Sequence, residues 1–146
     1  MISGCISNRL KYILDSIISD IQSGFIKGRY IGENARFIYD LLYYTESHNI
    51  PGLLILINFE KAFDSISWDF TYKVLQYFNF GKYIINLIKI LNTDLNACVL
   101  QSGFLSKQLL IQRGYRQGDP VAPYLFLLCA EILSDLIKQI KILRVL

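Results

Sequence analysis

The chain has 146 residues, of which 53% are hydrophobic and 18% are charged, and its formal net charge is +3 at pH 7. This composition provides enough apolar material for one folded core and excludes a disordered tail. The small positive charge is compatible with nucleic-acid binding but does not by itself argue for it.

No segment is predicted to enter or cross a membrane. The longest charge-free stretches, His48 to Phe59 and Leu95 to Ser106, are shorter than the ~20 residues that a spanning helix needs. The first residues carry Arg9 and Lys11 within an apolar-periodic pattern, which is not a secretory signal. We therefore expect an intracellular protein, in the nucleus or the cytoplasm, whose three cysteines are ordinary thiols.

The first third of the chain predicts two helices joined by a glycine-rich loop. Apolar residues recur at helical spacing near the start, and the set is Ile6, Leu10, Ile13, Leu14, Ile17 and Ile18. Gly24, Gly28 and Gly32 mark the loop. A second helix is predicted from about Asn34 to Ser47.

A buried strand is predicted at Leu53 to Phe59, after the turn at Ile50-Pro51-Gly52. Residues 53–57 are all Leu or Ile, which is typical of a strand covered on both faces. Asn58 then follows at the carboxyl end of the apolar run, with Lys61 and Asp64 just beyond it. Polar side chains at such a strand end enter the crevice where many enzymes place their chemistry.

The rest of the chain predicts three helices and a β-hairpin. Ser67 is a candidate N-cap for a helix to about Phe78, and the last helix has Pro123 in its first turn and reaches about Ile140. The other elements are a helix over Tyr83 to Leu91 and two strands, Asp94 to Gln101 and Phe104 to Gln112, joined at Ser102-Gly103. Helices around one central strand and one hairpin define an α+β fold.

The stretch Leu53 to Trp68 resembles motif A of the reverse transcriptases of non-LTR (LINE-type) retrotransposons. That motif is an apolar strand followed by Asp-Phe-x-Lys-Ala-Phe-Asp-Ser. Six positions match, and they are Phe59, Lys61, Ala62, Phe63, Asp64 and Ser65. The leading Asp, which in this family binds both catalytic Mg²⁺ ions, is replaced by Asn58. An amide offers one neutral carbonyl oxygen where a carboxylate offers charged oxygens.

Residues 113–126, RGYRQGDPVAPYLF, resemble motif B of the same family, in which Arg-Gly-x-Arg-Gln-Gly-Asp-Pro-Leu-Ser-Pro is typical. The resemblance places Gln117 and Gly118 beside the template and the incoming nucleotide. Apart from the resemblance, Arg113 and Arg116 are phosphate-binding candidates by their chemistry alone. A polar loop before a buried helix explains the same residues, and that alternative stays open.

Residues 22–36, QSGFIKGRYIGENAR, resemble the Gln-Ser-Gly-Phe fingers motif of LINE-type polymerases, which contacts template and nucleotide. Lys27, Arg29 and Arg36 alternate with glycines and are candidates for binding a nucleic-acid backbone. A solvated connector is the alternative. Three motifs of one family in the right order are more specific than any one of them.

The resemblance implies a partial right-hand polymerase domain over residues 1–146, with about 1–50 fingers-like and about 51–146 palm-like. Its implied partners are an RNA template, a DNA primer and the remainder of the palm and thumb. Phe63 is implied as the residue that packs under the sugar of the incoming nucleotide and rejects a 2′-hydroxyl, whereas an isolated Phe is more typical of a core. Phe59, Lys61 and Ala62 are implied nucleotide contacts.

Catalysis by this chain alone is not expected. Two-metal nucleotidyl transfer needs carboxylates from separate elements, which in the family are the motif A Asp and an Asp-Asp pair in motif C. Asn58 occupies the first position, no two aspartates are adjacent in the chain, and the chain is expected to lack both ends of the polymerase core. We therefore expect no stably bound Mg²⁺. Two alternatives remain, namely a non-catalytic module that binds RNA or an RNA–DNA hybrid, and a transposon relic without a selected function.

Overall fold

The computed structural model describes residues 2–140. All five predicted helices are present, and a further short helix follows the apolar segment. The helices are α1 (Ile2–Ile17), α2 (Ile31–Ser47), α3 (Ala62–Ser65), α4 (Trp68–Tyr77), α5 (Lys82–Leu91) and α6 (Ala122–Gln139). Together with short antiparallel strands they confirm the α+β class.

Helix α6 lies at the centre of the core. It packs against α1, α3 and α4, and α5 packs on α4. Leu125, Leu127 and Leu128 of α6 are each at most 2% exposed, and burying a leucine contributes about 1.5–3 kcal/mol. Helix α1 contributes buried apolar residues that are spaced one turn apart, and Leu10 and Leu14 are the most deeply buried of them. Helix α1, from the part predicted to be fingers-like, therefore shares one core with α6, and the boundary near residue 50 stays a prediction.

The predicted hairpin is formed. Strand β1 (Asn96–Ala97) pairs with β4 (Leu109–Leu110), and β2 (Leu100–Gln101) pairs with β3 (Phe104–Leu105), both antiparallel. Ser102 and Gly103 connect β2 to β3 with φ values of +51° and +84°. Positive φ at both central residues is the geometry of the tight turn that matches strand twist.

The central strand predicted at Leu53–Phe59 is not formed. Within the described residues this segment pairs with no other strand, and its side chains are exposed, with Leu53 at 85% and Leu56 at 75%. A strand that is apolar on both faces needs neighbouring strands to bond its backbone and other elements to cover it. Residues 2–140 contain no such neighbour, so the segment forms no strand and its side chains stay exposed.

Helix α2 also contributes no buried side chain to the core. Its aromatic residues lie in solvent, with Tyr39 and Tyr43 exposed by 71% and 69%. None of the helices formed by residues 2–140 combines the length and the apolar composition that crossing a membrane requires.

Candidate functional site

The site begins where the apolar segment 53–59 leads through a turn into α3. Lys61 adopts a left-handed conformation with φ +48°, and its carbonyl oxygen accepts the amides of Asp64 at 2.9 Å and Ser65 at 3.0 Å. The turn places the half-buried ring of Phe63 5.0 Å from that of Phe126 on α6. The ring of Phe25 approaches Phe63 edge-on at 6.5 Å. Residues of the first motif and of the 22–36 loop therefore meet on the surface of α6.

Three hydrogen bonds attach this turn to residues 114–115. The amides of Gly114 and Tyr115 donate to the carbonyls of Ile66 and Phe63, both at 2.8 Å, and Trp68 Nε1 donates to the carbonyl of Gly114 at 2.7 Å. We call this set of bonds the clasp. It holds the second motif against the first.

Gly114 is required for the clasp for two reasons. Its φ of +82° is a conformation that L-residues rarely adopt. A Cβ at this position would also lie 2.6 Å from the carbonyl oxygen of Asp64, which no side chain tolerates. The two segments approach this closely only because position 114 has no side chain.

A buried pair of polar side chains supports the clasp on its core side. Tyr115 Oη and Thr71 Oγ1 are 2.6 Å apart, and Thr71 donates its own proton to the carbonyl of Ser67 at 3.1 Å. Tyr115 is therefore the donor of the pair. Burial raises the pKa of the Tyr115 hydroxyl well above its ordinary value, so the phenol stays protonated and keeps donating. Burial also raises the pKa of the Cys129 thiol, 3.8 Å from Tyr115 Oη.

Asp119 connects the second motif to α1 and α6. Its carboxylate accepts hydrogen bonds from the hydroxyl of Ser3 and from the amide of Val121 at 3.1 Å. Arg116 lies 4.0 Å from the same carboxylate. The residue therefore orients the start of α6 and fixes it to the first helix.

Residues of all three motifs line one cavity of about 640 Å³. Phe25 comes from the 22–36 loop, residues 61–64 from the first motif and residues 115–119 from the second, and Ala122 and Pro123 of α6 complete the wall. Six of the residues predicted from sequence are brought together here, and they are Lys61, Ala62, Phe63, Arg116, Gln117 and Gly118. The lining contains Lys61 and Arg116 together with Asp64 and Asp119, so its formal charges cancel.

The other six predicted site residues lie outside this cavity, and three of them, Asn58, Phe59 and Arg113, belong to the first and second motifs. Asn58 is exposed in the segment 53–59, which forms no strand, and Arg113 is exposed beside the clasp. Phe59 packs edge-on against Phe126 at 6.2 Å. Across residues 2–140, no three His, Cys, Asp or Glu side chains are grouped as a metal site would require.

The three cations of residues 22–36, of which Arg36 lies on α2, have different surroundings. Arg29, predicted to contact nucleic acid, instead has a structural role, because its guanidinium donates to the carbonyls of Ser19 at 2.6 Å and Gln22 at 2.8 Å. It also pairs with Asp15 at 2.8 Å, and its side chain is only 15% exposed. Lys27 is exposed and lines a second, smaller cavity. Arg36 is exposed on α2 and pairs with Asp40 at 3.5 Å.

Sequence reasoning missed Phe25, Tyr115 and Asp119 as parts of the site. Tyr115 and Thr71 are 44 residues apart, and no local pattern connects them. Phe25 belongs to the Gln-Ser-Gly-Phe segment of residues 22–36, but its φ of +60° is visible only in the structure. Asp119 follows the Gln-Gly pair and resembles an N-cap, which is the one signal that the sequence provides.

Comparison with known proteins gives consistent matches. The family described as reverse transcriptase (RNA-dependent DNA polymerase) matches residues 1–145. An uncharacterized 149 kDa protein of transposon TX1 from Xenopus laevis is 29% identical over 139 residues, which are 95% of this chain and 11% of that protein. A retrovirus-related Pol polyprotein of the type-2 retrotransposable element R2DM from Drosophila melanogaster is 29% identical over 109 residues, 72% of the chain and 10% of the polyprotein.

A shorter match is closer in sequence. An uncharacterized mitochondrial protein of Arabidopsis thaliana is 63% identical over 27 residues, which are 18% of this chain and 22% of that protein. In each of these three comparisons the chain spans less than a quarter of the relative's length.

The clasp predicts different costs for alanine at two glycines with the same φ of +82°. Gly118→Ala should cost only the strain of a left-handed residue, about 1–2 kcal/mol, because no atom lies within 4 Å of the place its Cβ would take. Gly114→Ala adds a clash with Asp64 and should cost roughly 2–5 kcal/mol in total. Urea unfolding of the two variants measures the difference. Equal free energies of unfolding would contradict the close approach at Gly114.

Proposed function

Because this chain belongs to the reverse transcriptase (RNA-dependent DNA polymerase) family, we propose that it is the part of a polymerase that holds an RNA template, a DNA primer and an incoming nucleotide. Two of its relatives are proteins of transposable elements, the transposon TX1 and the type-2 retrotransposable element R2DM. In this proposal about residues 1–50 act as fingers and about 51–146 as palm. The chain spans about a tenth of the first two relatives, and the remaining palm and thumb are its proposed partners.

The observation that carries the proposal is the shared cavity. Three segments that are far apart in sequence contribute Phe25, Phe63 and Gln117 to one wall. We propose that the nucleotide sugar packs on Phe63, with Lys61 and Ala62 beside it, and that the base pair with the template lies over Gln117 and Gly118. The absence of any atom within 4 Å of a Cβ built on Gly118 supports this placement, since a ligand can reach that backbone directly.

The donors at the metal position do not fit a divalent cation. Mg²⁺ is a hard ion that is bound through carboxylates and phosphates, whereas Asn58 provides one neutral amide oxygen. Asn58 also lies outside the cavity, and the described residues place no cluster of three acidic, His or Cys side chains together. We therefore propose no metal-dependent step for this chain, and we infer that it does not catalyse nucleotidyl transfer by itself.

A test of this inference is primer extension on an RNA template with Mg²⁺ or Mn²⁺. The unaltered chain and Asn58→Asp should both give no product, because one restored carboxylate cannot hold two cations roughly 3.5–4 Å apart. An active reverse transcriptase serves as the positive control. Extension by Asn58→Asp above the no-protein background would contradict this inference. It would show that other carboxylates complete a metal site, and Asp64 would be the first candidate.

The remaining candidate activity is binding without chemistry. An RNA–DNA hybrid would be held by the phosphate-binding side chains around the clasp, of which Arg113 is exposed and Arg116 reaches the cavity. Phosphate contacts release counterions, so the strength of such binding falls with salt concentration in proportion to their number. A relic without function would have no reason to retain these phosphate-binding side chains.

Binding of a labelled RNA–DNA hybrid across a salt series tests the proposal. Replacing Arg113 and Arg116 together by Ala should weaken binding and reduce the slope of log affinity against log salt by ~0.9 for each lost phosphate contact. Fluorescence anisotropy measures both quantities.

The matched control is Lys82→Ala with Lys89→Ala, which removes the same charge from α5, away from the cavity. It should leave the slope nearly unchanged. An equal effect of the control would mean generic attraction to a basic chain, and no salt-dependent binding by the unaltered chain would favour the relic.

A further inference from the structure

Residues 53–57 have no hydrogen-bonding partner along their backbone. In the part of the chain that the structure describes, no amide or carbonyl of this segment is bonded to another backbone group. The segment is nevertheless attached at both ends, because the amide of Ile50 donates to the carbonyl of Thr45 at 2.9 Å and the ring of Phe59 lies 6.2 Å from that of Phe126. An apolar run with free donors and acceptors is therefore held at the surface, and such a run is a template for pairing with another strand.

The exposed surface of the chain is larger than a compact monomer requires. The structure exposes 11459 Å², whereas a compact protein of this mass exposes ~7,700 Å². The excess is more than the ~1,000–2,500 Å² that each partner buries in an obligate homodimer. Leu53, Ile55 and Leu56 contribute to it, since they are 85%, 60% and 75% exposed. The area that a stable dimer needs is therefore available without opening any helix.

The sequence around this segment suits an antiparallel pair of identical strands. Residues 53–58 carry no charge, and the first charges after them are Glu60 and Lys61. A parallel pair in register would place Glu60 against Glu60 and Lys61 against Lys61, which is destabilising. An antiparallel pair with its two-fold axis at Ile55 instead places these charges at opposite ends and sets Leu and Ile against Leu and Ile. Pro51 ends the pairing on the other side, because its nitrogen cannot donate.

We propose that residues 53–57 of two copies of this chain pair as antiparallel strands about a two-fold axis at Ile55, so that the chain forms a homodimer. In this register Leu53 lies opposite Ile57 of the second copy, and Ile55 lies opposite itself. A contact of this kind uses the same patch on both copies and closes at two. The dimer goes beyond the proposed function, since none of these residues lines the cavity in which the three motifs meet.

Sedimentation velocity of the full chain across a dilution series tests the dimer. The unaltered chain should sediment as a dimer when concentrated and dissociate reversibly on dilution. Ile55→Lys should weaken association by at least about 100-fold, because the two-fold axis places two ammonium groups directly opposite each other. Ile55→Glu should have the same effect. An equimolar mixture of the two variants should associate again, because opposite charges then face each other, and this recovery requires that both variants are folded.

The matched control is Ile90→Lys on α5. Ile90 is 65% exposed and Ile55 is 60% exposed, so the same change is made at a similarly exposed site, and it should leave the dimer unchanged. An equal loss of association in the control would overturn the pairing, because the contact would then be generic apolar adhesion. A monomer at every concentration, growth beyond two copies, or no recovery in the mixture would each overturn it as well. The hybrid binding proposed above is measured separately and stands or falls independently of these results.

Discussion

The site depends on the clasp, in which the backbone of Phe63 and Ile66 bonds that of Tyr115 and Gly114. These bonds form only because Gly114 has a positive φ and no Cβ to strike Asp64. The buried pair of Tyr115 and Thr71 secures them from the core side, where a lost partner would leave a polar group unsatisfied. The positions of Phe63, Gln117 and Gly118 around one cavity follow from this contact between distant segments.

The first turns of α6 form the wall that the two cavities share. Ala122 and Pro123 face the larger cavity, Tyr124 lines the smaller one, and Phe126 supports the ring of Phe63. The middle of α6 is buried among the core helices through Leu125, Leu127 and Leu128, and this packing anchors the wall.

Local patterns in the sequence were sufficient for the five longer helices and for the hairpin, but not for the short helix α3. Apolar spacing predicted α1, and Ser102-Gly103 predicted the tight turn, because both depend on neighbouring residues. The strand at Leu53–Phe59 failed because its stability depends on partners that residues 2–140 do not provide. The motif residues of the larger cavity were found by resemblance. Arg29 and Lys27 look alike in sequence, and only the carbonyls around Arg29 reveal its structural role. Lys11 and Tyr124 join the smaller cavity through packing of α1 on α6, for which the sequence carries no signal.

The central claim is that the clasp holds the first and second motifs together. Amide hydrogen exchange of the full chain tests this claim most directly, because it measures the protection of each backbone hydrogen bond of the clasp separately. The amides of Gly114 and Tyr115 should exchange as slowly as those in the middle of α6, since each opens only when the contact between the two motifs opens. The amides of residues 53–57, which pair with no strand in the described chain, should exchange rapidly in a sample that is too dilute for the proposed dimer. Rapid exchange at Gly114 and Tyr115 while α6 stays protected would contradict the account, because the two motifs would then not be held around one cavity.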